Sequence, residues 1–224
     1  MSADRFRCEP RSSPRRNSPA DVMGRLLSAC ARAADRRLDS LGLAPPPLDL
    51  PPEIHDDLRD VFGPTIDPAT VMIRRGHIPG VPHRRAFALP GLIYLGADPG
   101  MVGGTTVSTG RPRATPTLVH ELVHVWQGRY LGPRYVVTAL VEQARYGRRA
   151  YDWRDSLTRA PRDGVRRDFP VEAHAQLVSE AYARRYGLGP AAGLTVPSRD
   201  LQIMQEALTG LRAGRAPTWR GRTV

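Results

Sequence analysis

The sequence contains no lysine, so all 33 of its basic residues are arginines. They outnumber the 22 acidic residues and give the chain a formal net charge of +11. A charge of this sign would suit a nucleic acid or an anionic surface. The exclusive use of arginine, however, is typical of a GC-rich coding sequence, and the arginines are scattered among few aromatic residues. Because a nucleic-acid platform needs interleaved aromatic side chains, we do not expect nucleic acid to be the partner.

Cysteine is also scarce, with only Cys8 and Cys30 in the chain. The two could form at most one disulfide, and the absence of a Cys-x-x-Cys pair excludes a zinc ribbon. No apolar run reaches about 18 residues, which excludes a membrane-spanning helix. The Arg-, Ser- and Pro-rich segment 1–19 has no apolar stretch behind it and does not resemble a Sec signal peptide. We therefore expect a cytoplasmic protein, or one exported by a non-classical route.

One motif stands out, the run His120-Glu121-Leu122-Val123-His124. Thr115 is a typical helix N-cap and Pro116 suits the first helical position, so the run is predicted to be helical. Two histidines four residues apart then project from one face and can reach one Zn²⁺ ion. Glu121 lies beside them, where it can act as a general base and then a general acid. The alternative is a buried amphipathic helix with two hydrogen-bonded histidines.

A catalytic zinc site needs a third protein ligand. The three-histidine version of the motif would require histidine at position 130, where the chain has Tyr130. The ligand must then come from a later segment, and the candidates are Glu142, Asp152, Glu172 and His174. Glu172 and His174 are about 200° apart on a helix, so the two cannot easily bind the same ion. Cys8 could also cap the zinc as a thiolate, which makes a weaker alternative.

The organisation of the chain follows from its capping residues, its Pro-rich segments and its apolar periodicity. A capping box at Ser18 and Asp21 predicts a helix over 19–43, either a packing element or a partner-binding arm, with Val22, Leu26 and Cys30 on its apolar face. The predicted regions are a disordered basic arm at 1–18, this helix, a Pro-rich linker at 44–52, the main domain at 53–187, and a C-terminal helix and tail at 188–224. Within the last two we expect helices at 53–62, 134–149, 170–187 and 199–212, and strands at 71–75 and within 86–95.

A few strands followed by helices indicate an α+β fold. The motif, with the strand-like segment 86–95 before it and Val125-Trp126-Gln127 after it, resembles the zincin metallopeptidases. More narrowly it is similar to bacterial metallopeptidase domains that are often associated with extracellular contractile injection systems. The resemblance covers about residues 50–187. It implies a gluzincin-like fold in which a small antiparallel or mixed sheet packs on the motif helix and a mainly helical half follows.

The resemblance also implies a function and a ligand set. The segment that begins at Phe169 is similar to the one that supplies the third ligand in this group, so we expect Glu172 to complete a Zn²⁺ site with His120 and His124. The expected activity is hydrolysis of a peptide or protein substrate, with Glu121 as general base. Of the phenols Tyr146, Tyr151 and Tyr182, Tyr151 is the candidate that could stabilise the oxyanion, and a packing role for it is the alternative. Gln127 is expected to hydrogen-bond a ligand.

Two other functions are compatible with the sequence. The domain could be a catalytically silent zinc scaffold that binds a protein partner of a secretion-type assembly through the arms at 1–50 and 188–224. A DNA-associated protease is a further alternative, which only the net charge suggests. The oligomeric state is not predicted.

Overall fold

The chain is described by a computed structural model that covers residues 6–9, 18–77, 86–96, 103–105, 112–159, 166–188 and 195–220. It has the expected α+β composition, is mostly helical and contains a small mixed sheet of three strands. The helices are α1 (Pro19–Ser40), α2 (Pro52–Phe62), α3 (Pro116–Tyr130), α4 (Arg134–Tyr146), α5 (Trp153–Thr158), α6 (Val171–Arg185) and α7 (Ser198–Arg212). The strands are β1 (Phe6–Glu9), β2 (Met72–Arg74), β3 (Phe87–Leu89), β4 (Leu92–Tyr94), β5 (Gly103–Thr105), β6 (Pro112–Ala114), β7 (Arg166–Asp168) and β8 (Ala216–Arg220). None of the helices in these ranges combines the length and apolarity that a membrane crossing requires.

Helix α1 begins at the predicted capping box, in which Ser18 accepts from the Asp21 amide and Asp21 accepts from the Ser18 amide. Its apolar face is not the face that packs. Val22, Met23 and Leu26 are about half exposed, whereas the buried positions are small or polar: Asp21, Gly24, Ser28 and Asp35. Small residues are needed there because α1 lies directly against the start of α4, and a Cβ atom on Gly24 would lie 2.0 Å from the Pro133 carbonyl oxygen.

A buried ion pair joins α1 to the sheet. The guanidinium of Arg74 on β2 is 2% exposed and donates to both carboxylate oxygens of Asp35, at 2.7 and 3.2 Å. The same guanidinium also donates to the Pro45 carbonyl oxygen. The segment predicted as a linker, 44–52, therefore differs from a free spacer, because it lies along β2 and the Leu48 amide donates to the Ile73 carbonyl. Helix α1 is likewise part of the folded body and not a detached arm.

The three-stranded sheet has the order β2-β4-β3. Strands β2 and β4 are parallel, and β3 and β4 form an antiparallel hairpin whose turn is at Pro90 and Gly91. This Pro-Gly pair divides the segment 86–95, in which strands were predicted, and Gly91 has a φ of +77°, which favours glycine. Strand β3 lies at an edge of this sheet and packs on α3.

The main core lies between α3 and α6, with α2 and α7 packed against them. The indole of Trp126 on α3 donates to the Leu211 carbonyl of α7, and Ile203, Ala207 and Leu208 of α7 are buried. The predicted C-terminal extension is therefore integral to the domain at α7.

The expectation of disorder over 1–18 is wrong at Phe6–Glu9, which forms β1 and pairs with β8. Strand β8 pairs in turn with β7. Strands β1 and β7 therefore both depend on a partner that lies more than 45 residues away along the chain. Local composition does not reveal such pairings. The remainder of the predicted basic arm up to residue 17 lies outside the described residues, and so does Cys8's side chain.

Candidate metal centre

The position of α3 is set at its first turn. Thr115 caps the helix as predicted, since its hydroxyl accepts from the Leu118 amide at 3.2 Å, and Pro116 is the first helical residue. Just before the cap, the Ala114 amide donates to the buried carboxylate of Asp57 on α2. The Tyr182 hydroxyl of α6 donates to that same carboxylate. Asp57 thus links α2 and α6 to the start of α3.

Two histidines from α3 and one glutamate from α6 converge at the centre of the molecule. A carboxylate oxygen of Glu172, Oε2, lies 3.4 Å from Nε2 of His120 and 3.4 Å from Nε2 of His124. The three ligand-type atoms lie within 4.8 Å of one another, and all three residues are buried. This is the largest such group of His, Cys, Asp and Glu side chains in the part of the chain that the structure describes.

The spacing suits a tetrahedral ion. Two ligand atoms at the usual zinc distances of about 2.0–2.1 Å lie about 3.3–3.4 Å apart when the angle between them is tetrahedral. The observed 3.4 Å separations agree with that value. Glu172 Oε2 and Glu121 Oε2 are also buried without a hydrogen-bond partner among the described residues. Buried carboxylate oxygens normally have a hydrogen-bond partner, so the positions of these two atoms suit contact with a ligand or a reactant.

Helix α4 holds Glu172 at two points. The Gln143 side chain donates to Glu172 Oε1 at 2.7 Å, which leaves Oε2 directed at the histidines. The adjacent Glu142 accepts from the backbone amides of Val171 and Glu172 at 3.2 and 3.1 Å. Glu142 therefore caps α6, which has no side-chain cap of its own. Burial raises the pKa of Glu142 to about 7, although these two amides act in the opposite direction.

Gln127 fixes the orientation of His124, as the sequence suggested. Its Oε1 atom lies 2.8 Å from His124 Nδ1, and its Nε2 atom donates to the Val171 carbonyl at 2.9 Å. Because an amide oxygen only accepts, His124 must carry its proton on Nδ1 in this contact. Nε2 of His124 is then the ring nitrogen that faces Glu172, and it would have to lose its proton to bind a metal ion.

The electrostatic state of the cluster follows from burial and mutual charge. Burial would lower the pKa of His124, but Glu172 outweighs it and raises that pKa to about 9. Burial would raise the pKa of Glu172, but His124 and His120 hold it below its usual range. Glu121 has the opposite balance, because burial raises its pKa more than the histidines lower it. A carboxyl group with a raised pKa beside an anionic one is suited to proton transfer.

The other candidate ligands lie elsewhere. His174 is buried on the far side of α6, with Nδ1 3.2 Å from Gln127 Nε2 and its ring edge-on to Trp126. Burial lowers its pKa to about 3, so it is neutral. Asp152 is exposed and caps α5 through the Asp155 amide. With Glu142 used as the cap of α6, Glu172 is the sole candidate whose carboxylate reaches both imidazoles.

A cleft of about 1110 Å³ opens over the three residues. Tyr151 lines it, with its ring centroid 5.8 Å from that of His120. Of the other phenols that were considered, Tyr146 packs against the guanidinium groups of Arg145 and Arg159 on the surface. Tyr182 is bound to Asp57, away from the cleft.

Two residues of the site were missed in the sequence, Gln143 and Tyr135. The Tyr135 ring stacks near His124 at a centroid distance of 6.1 Å, and its hydroxyl donates to the Ala88 carbonyl of β3. No local pattern marks either residue, since their roles depend on how α4 crosses α3 and α6. Comparison of the chain with models of known protein families, with curated proteins and with solved structures gave no match.

Proposed function

We propose that this protein is a zinc-dependent peptidase with a zincin-like arrangement around α3. The observation that carries the proposal is the position of Glu172 Oε2, 3.4 Å from Nε2 of both His120 and His124. A chance ion pair would need only one of these contacts. The two equal separations, together with a Glu121 Oε2 atom that has no hydrogen-bond partner among the described residues, fit a metal site with an adjacent base.

His120, His124 and Glu172 would hold the ion, with two neutral nitrogens and one anionic oxygen as donors. When bound, zinc lowers the pKa of a coordinated water to about 7 and polarises a carbonyl group. Glu121 would accept the proton of the attacking water and later donate it to the leaving amine. Its carboxylate is buried beside the two histidines, a position that suits both transfers.

The cleft supplies room and walls for a peptide substrate. Strand β3, at the edge of its sheet, forms one wall through Phe87, Ala88 and Leu89. An edge strand offers backbone groups that can pair with an extended peptide. Tyr151 lies on the wall near His120, where its hydroxyl would donate to the oxyanion that develops at the attacked carbonyl.

The test compares zinc content with hydrolysis in three variants. Glu121→Gln should retain zinc and lose peptide cleavage, because the base is removed and the ligands stay. His120→Ala should lose the metal. Glu53→Gln, an exposed carboxylate on α2, is the matched control and should change neither property. Zinc is measured by mass spectrometry of the purified protein and cleavage with a peptide library.

Two outcomes would refute the proposal. Equal cleavage by the wild type and by Glu121→Gln would exclude Glu121 as the base. A wild-type protein that retains zinc but cleaves no peptide would instead favour the silent-scaffold alternative.

A further inference from the structure

The cleft over the candidate metal centre has one positively charged guanidinium in its wall. Most of the wall is apolar, and its side chains include Phe87, Leu89, Val136, Ala139 and Leu140. Arg148 is the sole arginine among the described residues that line the cleft. A cation in a mostly apolar binding cleft is the kind of polar group that orients a ligand and gives it specificity.

Arg148 is placed by a short 3₁₀ segment, Gly147–Tyr151. Residues three apart in such a helix lie on the same side, so Arg148 and Tyr151 both face the cleft. The same cleft is lined by His120, and the Tyr151 ring lies 5.8 Å from the His120 ring, so Arg148 shares one cleft with the candidate metal centre.

The charge of Arg148 is not neutralised within the described protein. Its neighbours Arg154 and Arg159 form ion pairs with Asp200 and Asp155 at 2.7 and 2.9 Å. No described carboxylate lies within ion-pair distance of Arg148, which is exposed. The adjacent Arg149 is also exposed but is not part of the cleft wall. The chain thus offers a control of the same residue type one position away.

We propose that Arg148 binds a carboxylate of the substrate, so that the protein cleaves peptides with an acidic group near the scissile bond. This inference rests on the proposed peptidase function. An arginine guanidinium matches a carboxylate in a bidentate geometry, and the pair discriminates against neutral or basic residues. The carboxylate can belong to an Asp or Glu side chain or to a free C-terminus, since the chemistry recognised is the same.

The experiment uses the full-length, zinc-loaded protein and two sets of matched peptides. One set carries Glu, Gln or Lys at each position within three residues of a cleaved bond, and the other ends in a free carboxylate or an amide. Wild type should prefer the acidic member by about 2- to 5-fold in kcat/KM, the contribution of an ion pair with an exposed guanidinium. Arg148→Glu should abolish or reverse the preference, whereas Arg149→Glu should retain it. The set that shows the effect identifies the source of the carboxylate.

The outcomes separate this inference from the proposed function. Cleavage with no charge preference, or an equal effect of the two arginine variants, would overturn carboxylate recognition and leave the peptidase intact. If no peptide is cleaved, binding of the labelled peptides is measured by fluorescence anisotropy. Binding that favours Glu over Gln and depends on Arg148 would then support the recognition site without the peptidase. Binding that is absent or indifferent to charge would overturn it.

Discussion

Replacing Asp35 with alanine tests whether α1 is held to the domain by its buried ion pair. Asp35 accepts two hydrogen bonds from Arg74, and the Tyr94 hydroxyl donates to it as well. The substitution leaves the Arg74 guanidinium, which is 2% exposed, without its main counter-charge. Tyr94 loses its acceptor at the same time. The effect is therefore expected on the free energy of unfolding and not on surface properties alone.

The magnitude follows from what remains around Arg74. Removing one partner of a buried ion pair costs about 3–5 kcal/mol. Asp39 still pairs with Arg74 at 2.9 Å and the Pro45 carbonyl still accepts from it, so we expect about 3 kcal/mol, the lower end of this range. For a chain of this size, that corresponds to a fall in Tm of about 6–12 °C.

Urea unfolding followed by tryptophan fluorescence measures the change, because Trp126 and Trp153 are fully buried. Asp39→Ala is the matched control. Its carboxylate contacts the same guanidinium but is 55% exposed, so its loss should cost no more than about 1 kcal/mol. A similar loss of stability in both variants, or a cost below about 1 kcal/mol for Asp35→Ala, would refute the reasoning.

Two further substitutions test the metal centre and the contact between helices. Gln127→Ala should lower zinc affinity by about 10- to 100-fold, because His124 loses its orienting acceptor; competition with a chromogenic chelator measures this, and unchanged affinity would exclude the role. Gly24→Ala should lower stability by about 1–3 kcal/mol even though alanine is the better helix former, because the new Cβ would lie 2.0 Å from the Pro133 carbonyl oxygen. A higher Tm for this variant in thermal unfolding would contradict the close contact.

The parts of the site that sequence predicts are those with local signals. The cap at Thr115, the position of Pro116 and the spacing of His120 and His124 are all contained in ten consecutive residues. Glu172 was favoured as the third ligand through a resemblance to a family, and the structure brings it to both imidazoles. The helix at 53–62 and the strands within 86–95 were predictable for the same local reasons, since Gly63 and Pro90-Gly91 interrupt the apolar segments.

The parts that sequence missed depend on distant partners. The apolar periodicity of α1 placed Val22 and Leu26 on one face, but the face that is buried is the one on which Asp35 pairs with Arg74, 39 residues further along the chain. Gln143 donates a hydrogen bond to Glu172, which lies 29 residues further along the chain. Neither residue lies in a sequence pattern that would predict this hydrogen bond. Strand β1 is a strand only because β8 lies beside it.

The two contacts that α4 makes with Glu172 have a consequence for ligand binding. A free glutamate side chain loses about 1.5–2 kcal/mol of rotamer entropy when it is fixed in one position. Here Gln143 holds the carboxylate and Glu142 holds the backbone amide, so that entropy is lost when the protein folds. An incoming cation would meet a carboxylate that is already ordered, and its affinity would be higher by the corresponding factor. The preorganisation of the candidate centre thus lies in two successive residues that would not touch a bound ion.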